Sequence, residues 1–165
     1  MSQILNGSRV PGALLGRLEN DVIRTISTER LFAYGRAVVM GIPGAFTPVC
    51  SQRHIPEFVQ SAEALTAAGY SHLVCIAPND PFVLDAWAQQ MDPHSKIDFY
   101  SDGNLEFTRA LGVLEQVGHL HLGWRSSRYI MVIADGVIQR FRIEKNAVEY
   151  LCTRPRDLFH PEPVR

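Results

Sequence analysis

Cysteine is scarce in this chain, and what there is does not pair up. Cys50, Cys75 and Cys152 stand far apart, and none belongs to a C-x-x-C. An odd, widely spaced set excludes a small disulfide-stapled fold. It suits a reducing compartment, where thiols do chemistry instead of cross-linking. No apolar run approaches the ~20 residues that cross a bilayer, so no membrane span is expected. Neither sign of charge is in excess: 16 Lys and Arg stand against 17 Asp and Glu, a net −1. That balance removes the electrostatic footprint of a nucleic-acid binder or of a protein resting on an anionic membrane. The start, Met1-Ser2-Gln3-Ile4-Leu5-Asn6, lacks a charged segment followed by an apolar one. No secretory signal is read there, and a cytoplasmic location is expected. Metal-ligand spacing is missing as well. Neither Cys50 with His54 nor His119-Leu120-His121 matches a zinc pattern, so no metal and no other cofactor is implied. Repeats, low-complexity blocks and linkers are also lacking. With 165 residues, 46% of them hydrophobic, one domain over 1–165 with a sizeable core is expected.

What is present is a regular succession of strands and helices. Short strands are read around Leu14–Leu18 and Val22–Thr25, and a capped helical turn at Ser27–Phe32. Ala37-Val38-Val39-Met40 is an apolar run too short for a helix and reads as a buried strand. After it Ile55, Phe58, Val59, Ala62 and Leu65 recur at helical spacing up to Gly69, with Pro56 expected to kink the helix. Leu73–Ala77 is a second buried strand. Asn79-Asp80-Pro81 then starts a helix whose apolar face should carry Phe82, Val83, Ala86 and Trp87. Ile97–Tyr100 forms a third strand, and Leu105–Leu111 a short helix stopped by Gly112. A loop leads to a hairpin, Arg128–Ala134 and Val137–Ile143, around the strong turn signal Asp135-Gly136. The tail from Arg154, with Pro155, Pro161 and Pro163, can hold little regular structure. This order predicts an α/β fold: a mainly parallel central sheet, helices on both faces and a C-terminal hairpin.

One stretch carries chemistry. Pro43-Gly44 breaks the chain after the first buried strand, and Thr47-Pro48 reads as a helix start, with a capping threonine and proline at the first helical position. Cys50 then falls in the first helical turn, among unpaired N–H groups at the positive end of the dipole, where a thiolate is favoured. By residue type alone a lone cysteine is a small buried hydrophobe. Its neighbours argue otherwise, because a strand, a tight turn and a cysteine at a helix N-terminus make a nucleophile site. The backbone N–H groups of Val49 and Cys50 are candidate donors to a bound substrate, and the Thr47 hydroxyl could both accept from it and donate to it or to the sulfur. His54, at i+4 from Cys50, could pair with the thiol or simply pack against the helix.

Residues Pro43 to Phe58 resemble the peroxiredoxins, and within them the peroxiredoxin-5 or type II branch, whose pattern P-G-A-F-T-P-x-C-S-x-x-H-x-P-x-F they match at every defined position. The resemblance continues through Asn79–Val83, Asp102–Thr108, Arg125–Tyr129 and Asp135–Val137, and covers roughly residues 35 to 152. It implies a thioredoxin-like fold and a thiol peroxidase acting on hydrogen peroxide and alkyl hydroperoxides, with Cys50 cycling between thiolate and sulfenic acid. It also implies that Arg128, in preference to Arg125, lies against Cys50, and that Pro43 shields the site. Glutathione with glutaredoxin, or thioredoxin, would be the reductant. Candidate resolving cysteines are Cys152, as in animal relatives, and Cys75, as in some plant-type ones, with an external thiol as the alternative to both. The G-L-T-C-S surroundings of the animal resolving cysteine are absent; here the residues are Glu149-Tyr150-Leu151-Cys152-Thr153. The apolar loop Ile42–Phe46 suggests a homodimer anchored by Phe46, unless that ring belongs to the core. A peroxide sensor or relay acting through a protein partner is the competing function. A structural thioredoxin-like module stands further off, since it would not require Thr47, Cys50 and Arg128 together.

Overall fold

The computed structural model describes residues 6–159, so the start Met1–Leu5 and the tail prolines Pro161 and Pro163 lie outside the described residues. Strands β1 (Leu14–Glu19) and β2 (Val22–Ser27) form a hairpin whose tip, Asn20 and Asp21, takes two positive φ angles, 49° and 62°. Such a left-handed pair matches the twist of an antiparallel hairpin. Helical turn α1 (Thr28–Leu31) follows, capped by the Ser27 side chain as the sequence suggests. Then come β3 (Arg36–Gly41), the helix that starts after Thr47 and ends in α2 (Ile55–Ala67), and β4 (His72–Ala77). After them run α3 (Pro81–Met91), β5 (Asp98–Ser101) and α4 (Glu106–Leu111). The expected C-terminal hairpin is β8 (Tyr129–Ala134) with β9 (Val137–Ile143), turning on Asp135 and Gly136 at φ 47° and 79°.

Seven strands make one mixed sheet in the order β2-β1-β5-β4-β3-β8-β9. Parallel pairing is confined to its centre, β3 with β4 and β4 with β5. The flanking strands β1 and β8 join it antiparallel, so the hairpins close both sides of a parallel middle. Alternation along the strands sorts side chains to two cores. Val38, Met40, Cys75 and Val132 face α2 and α3; Val39, Val74, Ile76, Met131 and Ile133 face Phe107 and Leu111 of α4 and Phe32 after α1. Helices on both faces and a thioredoxin-like architecture are therefore present.

Two expectations change. On α3 the buried residues are Leu84 and Trp87, whereas Phe82 is 62% exposed and Val83 38%. Ala88 and Met91 join the packed stripe, and at ~100° per residue Phe82 lies almost opposite Leu84. The expected loop before the hairpin also holds a small second sheet, β6 (Leu114–Gln116) with β7 (Trp124–Ser126). Strands of three residues carry too little alternation to be read. In the tail, Pro155–Leu158 forms a 3₁₀ turn that buries Leu158 against the α2 and α3 core.

Candidate active site

The parallel ladder runs one residue past β3, where the Ile42 N–H donates to the Ile76 carbonyl at 3.1 Å. Gly41 is obligatory just before it, because any side chain there would run into the Tyr129 ring of β8. The loop that follows is fastened from outside. Asn79 Oδ1 accepts the Ala45 N–H at 2.7 Å, and Arg125 Nη1 donates to the Pro43 carbonyl at 3.4 Å. Phe46 takes a left-handed φ of 61°, which swings the chain into the helix. The Thr47 hydroxyl donates to the Gly44 carbonyl at 2.7 Å, while the Thr47 carbonyl accepts the Ser51 N–H at 3.0 Å and closes the first helical turn. The N–H groups of Val49 and Cys50 precede that closed turn, as the sequence predicts for a helix start.

From Cys50 to His54 the helix is π-type: the Ile55 N–H donates back to the Cys50 carbonyl, five residues away. Pro56 explains the shift. Lacking an N–H, it cannot donate to Gln52, and the widened turn leaves it at the start of α2, where no donor is required. The kink expected at Pro56 is thus realised as a π turn that carries Cys50 on its first residue.

Cys50 is fully buried, and so is Arg128, which stands immediately before β8. Arg128 Nη1 lies 3.4 Å from Cys50 Sγ and 2.9 Å from His54 Nδ1. Its Nε donates to the Glu149 carbonyl at 3.2 Å and its Nη2 to the Ala147 carbonyl at 3.0 Å. A guanidinium only donates, so His54 Nδ1 accepts, and the imidazole is the neutral Nε2–H tautomer. Burial, and then the charge of Arg128, hold its pKa well below 6.5. Nε2 has no hydrogen-bond partner among the described residues. The ring packs between Phe58 and Tyr150, at centroid distances of 5.4 and 4.9 Å, and the Tyr150 hydroxyl donates to Glu57 at 2.8 Å. His54 is therefore a packed acceptor for Arg128 and not a proton-loaded base.

Cys50, Arg128 and His54 meet, and Thr47 and Pro43 lie on the loop leading to them. Thr47 differs from expectation in one respect: its single hydroxyl proton is committed to Gly44, which leaves oxygen lone pairs to offer. Cys75 is fully buried in β4 between Met40 and Phe99, and burial, then the neighbouring Cys50, push its thiol well up. Cys152 is partly exposed, donates to the Ile143 carbonyl at 3.4 Å, and has its pKa pushed up to about 11 by burial and by Glu144. The supports of the site were not legible beforehand. Asn79 reads only as part of the Asn79-Asp80-Pro81 helix start, whose cap is Asp80, and Glu57, Tyr150 and Glu144 carry no motif. Nor is the hydrogen bond from Trp87 Nε1 to Ser51 Oγ, 3.1 Å, foreseeable from spacing.

A buried thiol on a helix start, faced by a buried guanidinium on a thioredoxin-like sheet, defines a cysteine-based redox protein. Comparison with known proteins narrows the class. Residues 6–154 match the Redoxin family model. Peroxiredoxin-2B of Arabidopsis thaliana is 36% identical over 136 residues, covering 82% of this chain and 84% of that protein. Among solved structures, reduced Prx3 from Vibrio vulnificus in complex with hydrogen peroxide superimposes with a TM-score of 0.89 at 30% identity, over 94% of this chain and 97% of that one. Peroxiredoxin 5 from Alvinella pompejana gives 0.79 at 32% identity, over 86% and 90%. The chain belongs to the peroxiredoxins, in their type II, Prx5-like branch. It is a thiol peroxidase, and Cys50 is its peroxidatic cysteine.

Proposed function

We propose that the enzyme reduces hydrogen peroxide and small alkyl hydroperoxides and is recycled by an external thiol, either glutathione with glutaredoxin or thioredoxin. The Cys50 thiolate attacks one peroxide oxygen; the S–O bond forms as the O–O bond breaks, and the departing hydroxide or alkoxide takes a proton to leave as water or alcohol. Cys50 is then a sulfenic acid. A reductant thiol condenses with it, releasing water and leaving a mixed disulfide. A second thiol breaks that disulfide and returns Cys50.

The observation that carries this reading is the single Arg128 Nη1 within reach of Cys50 Sγ. A fixed cation stabilises the charge spreading over sulfur and both oxygens during attack, and it needs no reorganisation because carbonyls already hold it. The N–H groups of Val49 and Cys50 supply further donors. Thr47, its proton held by Gly44, accepts from the peroxide O–H and thereby orients it. Pro43, buried in the loop, limits water at the sulfenic acid. The same reading takes the chain as one domain, active as a homodimer in a reducing, cytoplasm-like compartment. No described helix is long and apolar enough to cross a membrane.

Peroxide consumption by wild type and Cys50→Ser tests it, with glutathione and glutaredoxin, thioredoxin, or neither supplied. Multiple turnovers with one thiol system and none in Cys50→Ser are expected. A single oxidation per chain with every reductant would replace the peroxidase cycle with a one-shot sensor.

A further inference from the structure

Glu144 is the residue after β9 and is only 4% exposed. Its Oε1 alone accepts four hydrogen bonds: from the N–H groups of Leu151, Cys152 and Thr153 at 2.7, 2.8 and 3.0 Å, and from the Thr153 hydroxyl at 2.9 Å. Its own N–H donates to the Arg128 carbonyl at 2.9 Å, which continues the β8–β9 ladder by one rung. One residue therefore ties the backbone of Arg128 at one end and the chain at 151–153 at the other.

The segment closed by that tie faces the guanidinium. Between Glu144 and Leu151 the chain turns on Asn146, whose Oδ1 accepts the N–H groups of Val148 and Glu149, each at 3.1 Å. The carbonyls of Ala147 and Glu149, which hold Arg128, both lie on this loop. Tyr150, 2% exposed, lies on it too and packs against the His54 ring. Short carboxylate hydrogen bonds are charge-assisted and roughly twice as strong as neutral ones. Burial alone would raise the Glu144 pKa, but the Cys152 and Leu151 N–H groups and the Thr153 hydroxyl outweigh it, and the group stays a carboxylate at neutral pH.

We propose that Glu144 is a positioning residue for peroxide reduction: by clamping the 145–153 loop shut it aims the Ala147 and Glu149 carbonyls, and these hold the Arg128 fork against Cys50. The proposal rests on the reading that Arg128 serves the reaction. Glu144 touches neither the Cys50 sulfur nor the substrate, so its effect must pass through the fork. A neutral amide at this position keeps the shape and loses the charge that draws four donors to one oxygen.

The experiment is a double-mutant cycle read as the second-order rate constant of Cys50 oxidation by hydrogen peroxide in stopped flow. Glu144→Gln should slow oxidation about tenfold, a loss of transition-state stabilisation. In an Arg128→Met background the same change should alter the rate less than about twofold, because the device it acts through is gone. Amide exchange at Leu151 to Thr153 should rise in Glu144→Gln. Where the Gln variant does not fold, Glu144→Asp, which keeps the charge one methylene back, serves the same cycle with a smaller loss. Equal losses in both backgrounds would overturn the proposal and leave Glu144 as a stability residue only. A full rate in Glu144→Gln beside a crippled Arg128→Met would overturn the positioning role alone. A full rate in Arg128→Met would remove the role of Arg128, and this proposal with it.

Discussion

Arg128 concentrates the electrostatics of the site in one buried side chain that touches sulfur, imidazole and two peptide carbonyls. Four acceptors in different directions suit a planar fork and not a single ammonium. Arg128→Lys keeps the charge and should still slow Cys50 oxidation about a hundredfold, roughly 2.7 kcal/mol of transition-state stabilisation. A stopped-flow rate within twofold of wild type would show that charge alone suffices. His54 makes a second prediction, on stability. Its folded pKa is lowered, first by burial and then by Arg128, from an ordinary 6.5. Below pH 6.5 the unfolded chain binds a proton that the folded one refuses, so folding stability must fall with pH, by up to about 1.4 kcal/mol per unit from this group. Urea titrations at pH 7 and 5.5 should show the loss, and His54→Asn, which keeps an acceptor for Arg128, should remove part of it. Equal slopes with pH in the two proteins would mean that His54 charges freely inside the fold.

At the scale of elements, the two internal thiols are poorly placed to resolve a sulfenic acid. With its pKa pushed up to about 11, Cys152 is a thiolate in only about one molecule in ten thousand at pH 7. Its backbone N–H is also pinned by Glu144 at 2.8 Å. Cys75 is locked in β4 with its thiol well above the ordinary range. Cys152→Ser and Cys75→Ser should therefore keep glutathione-dependent turnover, and oxidised wild type should carry a mixed disulfide at Cys50 in a peptide map. A Cys50–Cys152 bridge as the main product would reverse that order.

Which elements were readable follows the same physics. The strands at Ala37–Met40 and Leu73–Ala77, the Asp135-Gly136 hairpin and the helix beginning at Thr47-Pro48 depend on local pattern and turn chemistry. All of them are where the sequence puts them. The position of Cys50 was legible because the long motif of Pro43 to Phe58 carries it, and that of Arg128 because the resemblance extends through Arg125–Tyr129. The π turn was half legible: Pro56 predicts a disturbance, but not that the ladder would lengthen at Cys50. The Asn79 tie depends on a partner 34 residues away, the Glu144 clamp on backbone N–H groups that no local pattern singles out, and the β6–β7 strands are too short to show alternation.

For the whole molecule, the question is what covers the loop before the active-site helix. Ile42 to Ala45 are buried, but the Phe46 ring is 55% exposed while its backbone sits in the left-handed region at φ 61°. That conformation costs an ordinary residue about 1 kcal/mol, and here it holds an aromatic ring toward solvent. Beside it Trp87 lies 6.4 Å away, and Val83, one turn earlier on α3, is 38% exposed, with Phe82 next to it at 62%. An exposed aromatic ring on an otherwise buried apolar loop suits an interface anchor, and such anchors contribute about 2 kcal/mol or more. A second copy of the chain is the occupant proposed above. Sedimentation at micromolar concentration should find a dimer, and Phe46→Ala should weaken it by at least about tenfold while leaving the thermal midpoint of the monomer nearly unchanged. Phe46 is linked to the site through the buried Trp87, whose Nε1 donates to Ser51 Oγ in the turn that carries Cys50. Dilution through the dissociation range should then lower the rate of Cys50 oxidation and shift tryptophan emission together. Strictly monomeric wild type at the highest soluble concentration would leave Phe46 without the partner argued for it.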